Sequence, residues 1–345
     1  DGIGPEVIDQ GLKVLGAAAE KFNFTFKTTF GQIGASAIDA TGNPLPDETI
    51  EECKKSDAVL LGAVGHPKYD NDPTAKVRPE QGLLKLRKSL NLFANIRPVA
   101  TYEILYENSP IKTERIKGVD FVVFRELTGG IYFGEKGREN NGTLAYDNCV
   151  YTVDEIDRIT RLAFKTAQTR RKKVCLVDKA NVLETSRLWR ETVTRIAKEP
   201  EFTDIELSTM FVDNAAMQLI QWPSQFDVIL TENMFGDIIT DEASVITGSM
   251  GLLPSSSVGT ELALFEPIHG SYPQASGKNI ANPFATILSV AMMLEHLKET
   301  DAADAIRNAV NAALEQNIVT EDISKENAKS TNQVGSWVAE YISKQ

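Results

Sequence analysis

The sequence predicts an α/β fold divided between two domains, and three observations point to it. Near-continuous apolar runs of strand length recur along the chain, most plainly at 57–65, 119–124, 174–177 and 228–231, as in strands buried on both faces of a parallel sheet. These runs end at glycine or polar residues and give way to helix-like stretches, so the repeating unit is strand, loop, helix. At 345 residues the chain exceeds the usual single-domain size, and its 42% hydrophobic content is enough for two cores.

Charge and cysteine usage narrow the function. With a net charge of -12 and an isoelectric point near 4.9, the chain lacks the basic face by which nucleic-acid binders release counterions, so no nucleic-acid partner is expected. Cys53, Cys149 and Cys175 are odd in number, widely spaced and without a CxxC or His-rich pattern. Neither a disulfide framework nor a zinc site is indicated, and the expected compartment is a reducing cytoplasm. No apolar run approaches a membrane span; the nearest, 285–294, contains Thr286 and Ser289 and follows Asn282-Pro283 as a helix would. The opening Asp1-Gly2-Ile3-Gly4-Pro5-Glu6 reads as the middle of a strand-to-helix turn, so a strand ahead of Asp1 is expected.

Taken in order, Pro5 opens a helix in which Ile8, Leu12, Leu15 and Ala19 form an apolar stripe. Phe24, Phe26 and Phe30 alternate in a strand-like stretch, and Asp47 caps a short helix through Lys55. The run 57–65 ends in a glycine-bearing loop, and the polar loop 66–78 leads to Pro79-Glu80 and a helix striped by Leu83, Leu86 and Leu90, with Leu84 and Arg87 on neighbouring faces. Residues 92–97 alternate, placing Phe93, Asn95 and Arg97 on one side, where an arginine invites a ligand. Beyond the strand 119–124, Gly129-Gly130 turn the chain, and 137–151 is a polar, irregular arm. The strands 174–177, 207–212 and 228–231 end at Asp178-Lys179, Asp213 and Thr231. Ligands in such sheets sit beyond the carboxyl ends of the strands, so Lys179, Asp213 and Asp237 should converge on one rim. After Gly248, loops at 251–259 and 265–271 precede helices near 282–297, 302–316 and 334–343. With no Pro- or Ser-rich linker, the domains should be joined by shared crossings, the C-terminal part completing the first.

The stretch 226–241 carries the first sign of chemistry. Asp237 and Asp241 are four residues apart, so on a helix their Cβ atoms stand roughly 5 to 6 Å from each other. Two readings are open: acids that favour the positive end of a helix, or ligands of a hard divalent cation.

Several long motifs stand in one order: Asp1-Gly2-Ile3-Gly4-Pro5-Glu6-Val7, the runs 78–98 and 125–134, Asp178-Lys179-Ala180-Asn181-Val182-Leu183, and the runs 231–241 and 266–283. Over essentially its whole length the chain thereby resembles the β-decarboxylating dehydrogenases, the family of isocitrate and isopropylmalate dehydrogenases. The resemblance implies a two-domain fold with mixed sheets flanked by helices, and not a GxGxxG Rossmann fold. It assigns 1–92 plus 248–345 to a larger, discontinuous dinucleotide-binding domain and 93–247 to a smaller domain for dimerisation, metal and substrate. The activity implied is the NAD-dependent oxidative decarboxylation of (2R,3S)-3-isopropylmalate to 4-methyl-2-oxopentanoate and CO₂, in leucine biosynthesis.

What the resemblance implies for single residues is equally specific. Arg87, Arg97 and Arg125 hold the substrate carboxylates, a task suited to a planar guanidinium that offers two parallel hydrogen bonds. Tyr132 and Lys179 match the acid and base. Asp213, Asp237 and Asp241 match the ligands of one Mg²⁺ or Mn²⁺, with Asp213 also at the substrate, and Lys179 and Asp213 reach the active site of a partner subunit in a homodimer. The dinucleotide falls to the loop residues His269, Gly270, Ser271, Gln274, Gly277, Ile280 and Asn282, with Glu80 beside the nicotinamide. The family usually carries an aspartate where this chain has Gln274, which can hydrogen-bond a ribose hydroxyl but adds no charge; no Lys or Arg at Gln274 or Ala275 invites NADP. Leu83 and Leu84 suit an alkyl side chain, which separates isopropylmalate from the substrates of sister enzymes acting on isocitrate, homoisocitrate or tartrate. A non-catalytic metal-binding relative is the remaining alternative.

Overall fold

The computed structural model describes residues 1–72 and 74–345. The chain forms two compact units, Asp1–Leu92 with Ser249–Gln345, and Phe93–Gly248. No described helix is long and apolar enough to cross a membrane.

In the first unit, strand Val59–Leu60 runs parallel to Ala263–Pro267, which pairs antiparallel with Pro254–Val258. Helix Phe284–His296 lies against this mixed sheet and is buried nearly all round, as expected of a helix apolar on every side. Ser289 does not oppose this, because its hydroxyl donates to the Ala285 carbonyl one turn back. Helices Gly4–Phe22, Thr300–Glu315 and Thr331–Lys344 complete the layer. The first of these has Pro5 at its start, but its buried face is Val7, Gly11, Val14, Leu15 and Ala18, with Ile8 and Leu12 only half-buried. Its seam follows Gly11, where a Cβ would lie 3.1 Å from Thr286 and 3.3 Å from Val290 of the neighbouring helix.

Several sequence-based expectations change here. The stretches 251–259 and 265–271, expected as loops, supply the two longer strands of this sheet; Ser255, Ser256 and Ser257 are buried within one of them, although serine composition signals a loop. Residues 24–33 form no strand, and Phe26 and Phe30 are exposed, since alternation makes a strand only where a neighbouring ladder exists. Of the run 57–65 only Val59–Leu60 is in the sheet. Asp47 is the first residue of helix Asp47–Lys55 and makes no capping bond. The polar loop 66–78 contains a short helix, Pro67–Asp70, and includes Pro73, which lies outside the described residues.

The second unit has strand order Ala94–Ala100, Asp120–Glu126, Val228–Thr231, Lys173–Asp178, Glu206–Phe211, antiparallel in the first pair and parallel thereafter. Burial on both faces explains the continuous apolar runs. Val228 and Leu230 join Ile156, Phe164 and Trp189 from helices Val153–Gln168 and Glu184–Ile196. Ile229 between them joins Ala215, Leu219 and Ile239 from helices Val212–Gln221 and Asn233–Ile246 on the opposite face. The expected irregular arm is instead a hairpin, Lys136–Glu139 with Leu144–Asp147, turned by Asn140, Asn141 and Gly142, the first two in the left-handed region that asparagine tolerates.

Candidate active site

In the second unit, strand register sets the site. Asn95 stands opposite Arg125 on the antiparallel neighbour, and Arg97 lies two residues along on the same face. Arg97 donates through Nε to Asn95 Oδ1 at 2.9 Å and through Nη1 to Thr240 Oγ1 at 2.8 Å and Asp241 Oδ1 at 3.1 Å. Arg125, at the end of its strand, is 5% exposed and donates from Nε and Nη2 to Asn233 Oδ1, at 3.1 and 2.9 Å, and from Nη1 to Asp237. Gly236 makes room for this arginine, because a Cβ there would come within 2.5 Å of its Cγ.

Asp237 and Asp241 belong to the helix Asn233–Ile246, whose N-cap is Glu232, with the Phe235 amide donating to the Glu232 carboxylate at 2.6 Å. No acid occupies the first turn of this helix, so neither aspartate acts as a macrodipole partner there. Tyr132, in the turn Gly130–Tyr132, donates to the second oxygen of Asp237 at 2.9 Å, and the Arg125 guanidinium stands 6.0 Å from its ring. Burial, and then the Asp237 bond, hold the Tyr132 phenol above its usual range, so it is protonated at neutral pH.

Lys179 and Asp213 form a second cluster in this unit. The strands that precede them pair with Asp178 opposite Phe211, so the two residues emerge side by side beyond the sheet. Lys179 Nζ donates to Asp213 Oδ1 at 2.8 Å, and this bond draws the Asp213 carboxyl below its usual range. Asp178, 2% exposed, is gripped by Arg190 Nε and Nη2 at 2.8 and 2.7 Å, and Ser186 Oγ accepts from the Lys179 amide at 3.0 Å. The expected convergence of Lys179, Asp213 and Asp237 therefore appears as two clusters, and among the described residues of one chain no three acids form a metal-binding group. Asp237 and Asp241, one turn apart with oxygens reaching the surface, fit as the two-carboxylate half of a hard-cation site.

The first unit brings together a different kind of site. Gly2, Gly4 and Gly62 allow backbones to touch: a Cβ on Gly2 would overlap the Ser271 carbonyl, and one on Gly4 would lie 2.9 Å from the Ala63 nitrogen. The Ile3 amide donates to the Ser271 carbonyl at 2.8 Å. Gly65, with φ +125°, faces Glu80 Oε1 and Ser271 Oγ, which a Cβ would meet at 3.3 and 3.5 Å. His269 Nε2 is buried without a protein partner, and burial lowers the pKa of the ring, leaving it neutral. The unpartnered His269 nitrogen, with the Glu80 and Ser271 oxygens beside Gly65, fits a polar ligand such as a dinucleotide. Gly270 and Gln274 are exposed beside them.

Other expected contacts are used within the fold. Asn282 accepts from the Phe284 amide at 3.0 Å and donates to Asp322 Oδ2 at 3.0 Å, Ile280 packs on Ile3, Val7, Ala275 and Ala281, and the Gly277 amide donates to Glu6. Leu83 and Leu84 part company. Leu83 packs against the core of Leu45, Ile50, Leu86 and Leu264, whereas Leu84 is exposed on the helical face shared with Glu80 and Arg87. Arg87 Nη2 donates to Glu266 Oε1 at 2.7 Å. The sequence reading assigned nothing to Glu266, Asn233, Glu232 or Tyr151, although the first three lie inside quoted motifs; a carboxylate within the apolar run 263–268 was the available signal.

The Isocitrate/isopropylmalate dehydrogenase family model matches residues 1–338. A 3-isopropylmalate dehydrogenase of Bacteroides fragilis (strain YCH46) is 54% identical over 100% of this chain and 97% of its own length. One of Wolinella succinogenes is 56% identical over 100% and 96%. A crystal structure of isocitrate dehydrogenase from Methylococcus capsulatus superposes with a TM-score of 0.88 at 36% identity, covering 99% of this chain and 97% of that one.

Proposed function

Because the chain belongs to the isocitrate/isopropylmalate dehydrogenase family, we propose that it oxidises and decarboxylates (2R,3S)-3-isopropylmalate, giving 4-methyl-2-oxopentanoate, CO₂ and NADH in the leucine pathway of the cytoplasm. The observation that carries the reading is the pair of clusters in the second unit: a protonated tyrosine and a buried arginine on one aspartate, and a lysine on another. When bound, a divalent cation and NAD⁺ supply polarisation of the C2 oxygen and a hydride acceptor.

The chain's own residues do the rest. Arg97 and Arg125 take the two substrate carboxylates of the malate portion, exchanging ion pairs within the protein for bidentate bonds to the ligand, and Arg87 exchanges Glu266 likewise. Lys179 of a second copy, next to that copy's Asp213, accepts the C2 hydroxyl proton. Loss of CO₂ leaves an enolate, whose charge the arginines stabilise, and Tyr132 Oη delivers the proton that completes the product. Asp237 and Asp241, with Asp213 from a second copy, hold the cation. Glu80, His269, Gly270, Ser271 and Gln274 hold the dinucleotide, while Gly277, Ile280 and Asn282 shape the loop. The uncharged Gln274 supports NAD without the repulsion that would exclude a 2′-phosphate. Leu84 faces the isopropyl group.

A homodimer with shared active sites is part of this reading. Met217 and Ile220 on one helix of the second unit and Ile238 and Val245 on its neighbour are all exposed, an apolar face suited to a second copy. The test is NADH formation at 340 nm with NAD⁺ and Mg²⁺. We expect kcat/KM for 3-isopropylmalate to exceed that for isocitrate, homoisocitrate and tartrate by at least about 100-fold, since each of those polar groups meets leucine instead of a hydrogen-bonding partner. A folded dimer that makes no NADH overturns the proposal.

A further inference from the structure

Tyr151 lies outside every role assigned so far, yet it touches both elements that carry the second unit's first cluster. It is 6% exposed, and its ring packs edge-on against Trp189 at 5.4 Å. Its hydroxyl donates to Glu232 Oε2 at 3.1 Å and accepts from the Asn233 amide at 3.0 Å, at the start of the helix bearing Asp237 and Asp241. The same ring underlies the glycine pair that leads to Tyr132. A Cβ on Gly129 would lie 2.8 Å from its Cε1, and one on Gly130, whose φ is +73°, would lie 2.3 Å from its hydroxyl oxygen. The Gly130 amide donates to the carbonyl of Val150, the residue before the tyrosine, at 3.0 Å. Asn233 closes the circuit from the other side: its Nδ2 donates to the Gly129 carbonyl at 3.1 Å while its Oδ1 receives Arg125.

We propose that Tyr151 is a positioning residue, a clasp that fixes the Tyr132 turn against the start of the Asp237 helix and so sets the contact between Tyr132 and Asp237. The argument is geometric. Tyr132 reaches Asp237 from a turn with two glycines, which has little stiffness of its own. Asp237 is one turn into a helix whose first residues would otherwise leave unpaired amides. One buried side chain meets both, with its ring on the turn and its hydroxyl on the cap. Loss of the hydroxyl leaves the ring in place and removes one partner of Glu232 and that of the Asn233 amide, so the Asn233–Gly129 bond loses its second support between helix start and turn while the core keeps its volume.

The inference rests on the roles proposed above for Tyr132 and Asp237. In Tyr151→Phe we expect kcat to fall by about 10- to 100-fold, the range seen when groups supporting a site are removed, with KM for NAD⁺ within about twofold. Mn²⁺ binding to the substrate-free protein, read from the EPR signal of the free ion, should weaken by about tenfold, because Asp237 is no longer held in place. Glu232→Met removes the clasp's acceptor, and the Phe235 cap with it, while keeping the tyrosine; it should reproduce both losses, also standing in should Tyr151→Phe not fold, and Glu232→Gln, which can still accept both bonds, should recover most of them. If folded Tyr151→Phe and Glu232→Met lose only thermal stability, with kcat and Mn²⁺ affinity at the parent level, the clasp is packing alone and the proposal is overturned. Tyr132→Phe separates the two readings. If it keeps full turnover, the assigned chemistry of Tyr132 fails; if it loses turnover while Tyr151→Phe does not, only the clasp fails.

Discussion

The Phe93–Gly248 unit and the unit of Asp1–Leu92 with Ser249–Gln345 build their sites from different materials. In the former, the groups are charged side chains on the sheet strands and on the segments that follow them, each already paired: Arg125 with Asp237, Arg97 with Asp241, Lys179 with Asp213. In the latter, the site is shaped largely by backbone: at Gly2, Gly4 and Gly62 chains approach too closely for a Cβ, and Gly65 turns at positive φ beside Glu80 and Ser271. Paired side chains can exchange partners and move protons, whereas a glycine-shaped surface can only receive. Substitutions in the two regions should therefore act on different kinetic constants: kcat and metal affinity in the first case, KM for the dinucleotide in the second.

The comparison is most exposed to failure at Lys179. Lys179→Met keeps most of the length of the side chain and removes the amine proposed to accept the substrate proton. We expect kcat to drop by about 10³-fold or more, with an unfolding midpoint close to the parent's, since the Lys179–Asp213 pair is open to solvent and screened by it. Turnover at the parent rate removes the lysine from the mechanism. Next in size is Asp241→Asn, which deletes charge from a residue whose protein contact is Arg97. Mn²⁺ binding should weaken by about 100-fold while dinucleotide binding, measured by quenching of protein fluorescence, stays the same. An unchanged Mn²⁺ titration would leave Asp241 as a partner of Arg97 alone.

For the glycine-shaped region the test is Gly65→Ala. At φ +125° an alanine is strained by about 1 to 3 kcal/mol, and its methyl would press toward Glu80 and Ser271. KM for NAD⁺ should rise by about 30-fold with kcat within about threefold. A collapse of kcat with KM unchanged would erase the distinction between the two regions.

The two regions also differed in how far the sequence disclosed them. The strands and helices of the Phe93–Gly248 unit were legible because burial on both faces writes itself as Val228-Ile229-Leu230, and because a strand's carboxyl end is where a lysine or aspartate is noticed. The strand Pro254–Val258 was not legible: buried serines carry no apolar signal, and their place in a sheet depends on partners distant in sequence. The same limit applies to the sites. Asp237 and Asp241 announce themselves by spacing, but the pairing of Arg87 with Glu266 spans 179 positions, and no local pattern contains it. Leu83 and Leu84 show a different limit. Adjacent in sequence, and each three or four positions from both Glu80 and Arg87, they share one expected role, yet they point about 100° apart and only burial tells them apart.

That separation supplies the smallest expected effect. Leu84 is 42% exposed, so truncating it should leave the unfolding midpoint nearly unchanged, whereas Leu83→Ala should lower stability by about 1 to 3 kcal/mol through the partly buried contact it makes with Leu86 and Leu264. If Leu84 meets the isopropyl group, Leu84→Ala removes contact worth about 0.8 kcal/mol per buried CH₂, and kcat/KM for isopropylmalate should fall by about five- to tenfold. Bulkier 3-alkylmalates, which refill the space, should lose less or gain. In the proposed reaction the arginines and the metal carboxylates act on the malate portion common to all these substrates, so the metal requirement and kcat should follow the parent. Equal losses on every malate would mean that Leu84 supports its helix and not the substrate. The preference for an alkyl side chain would then have to reside in residues other than those on the Glu80, Leu84 and Arg87 face.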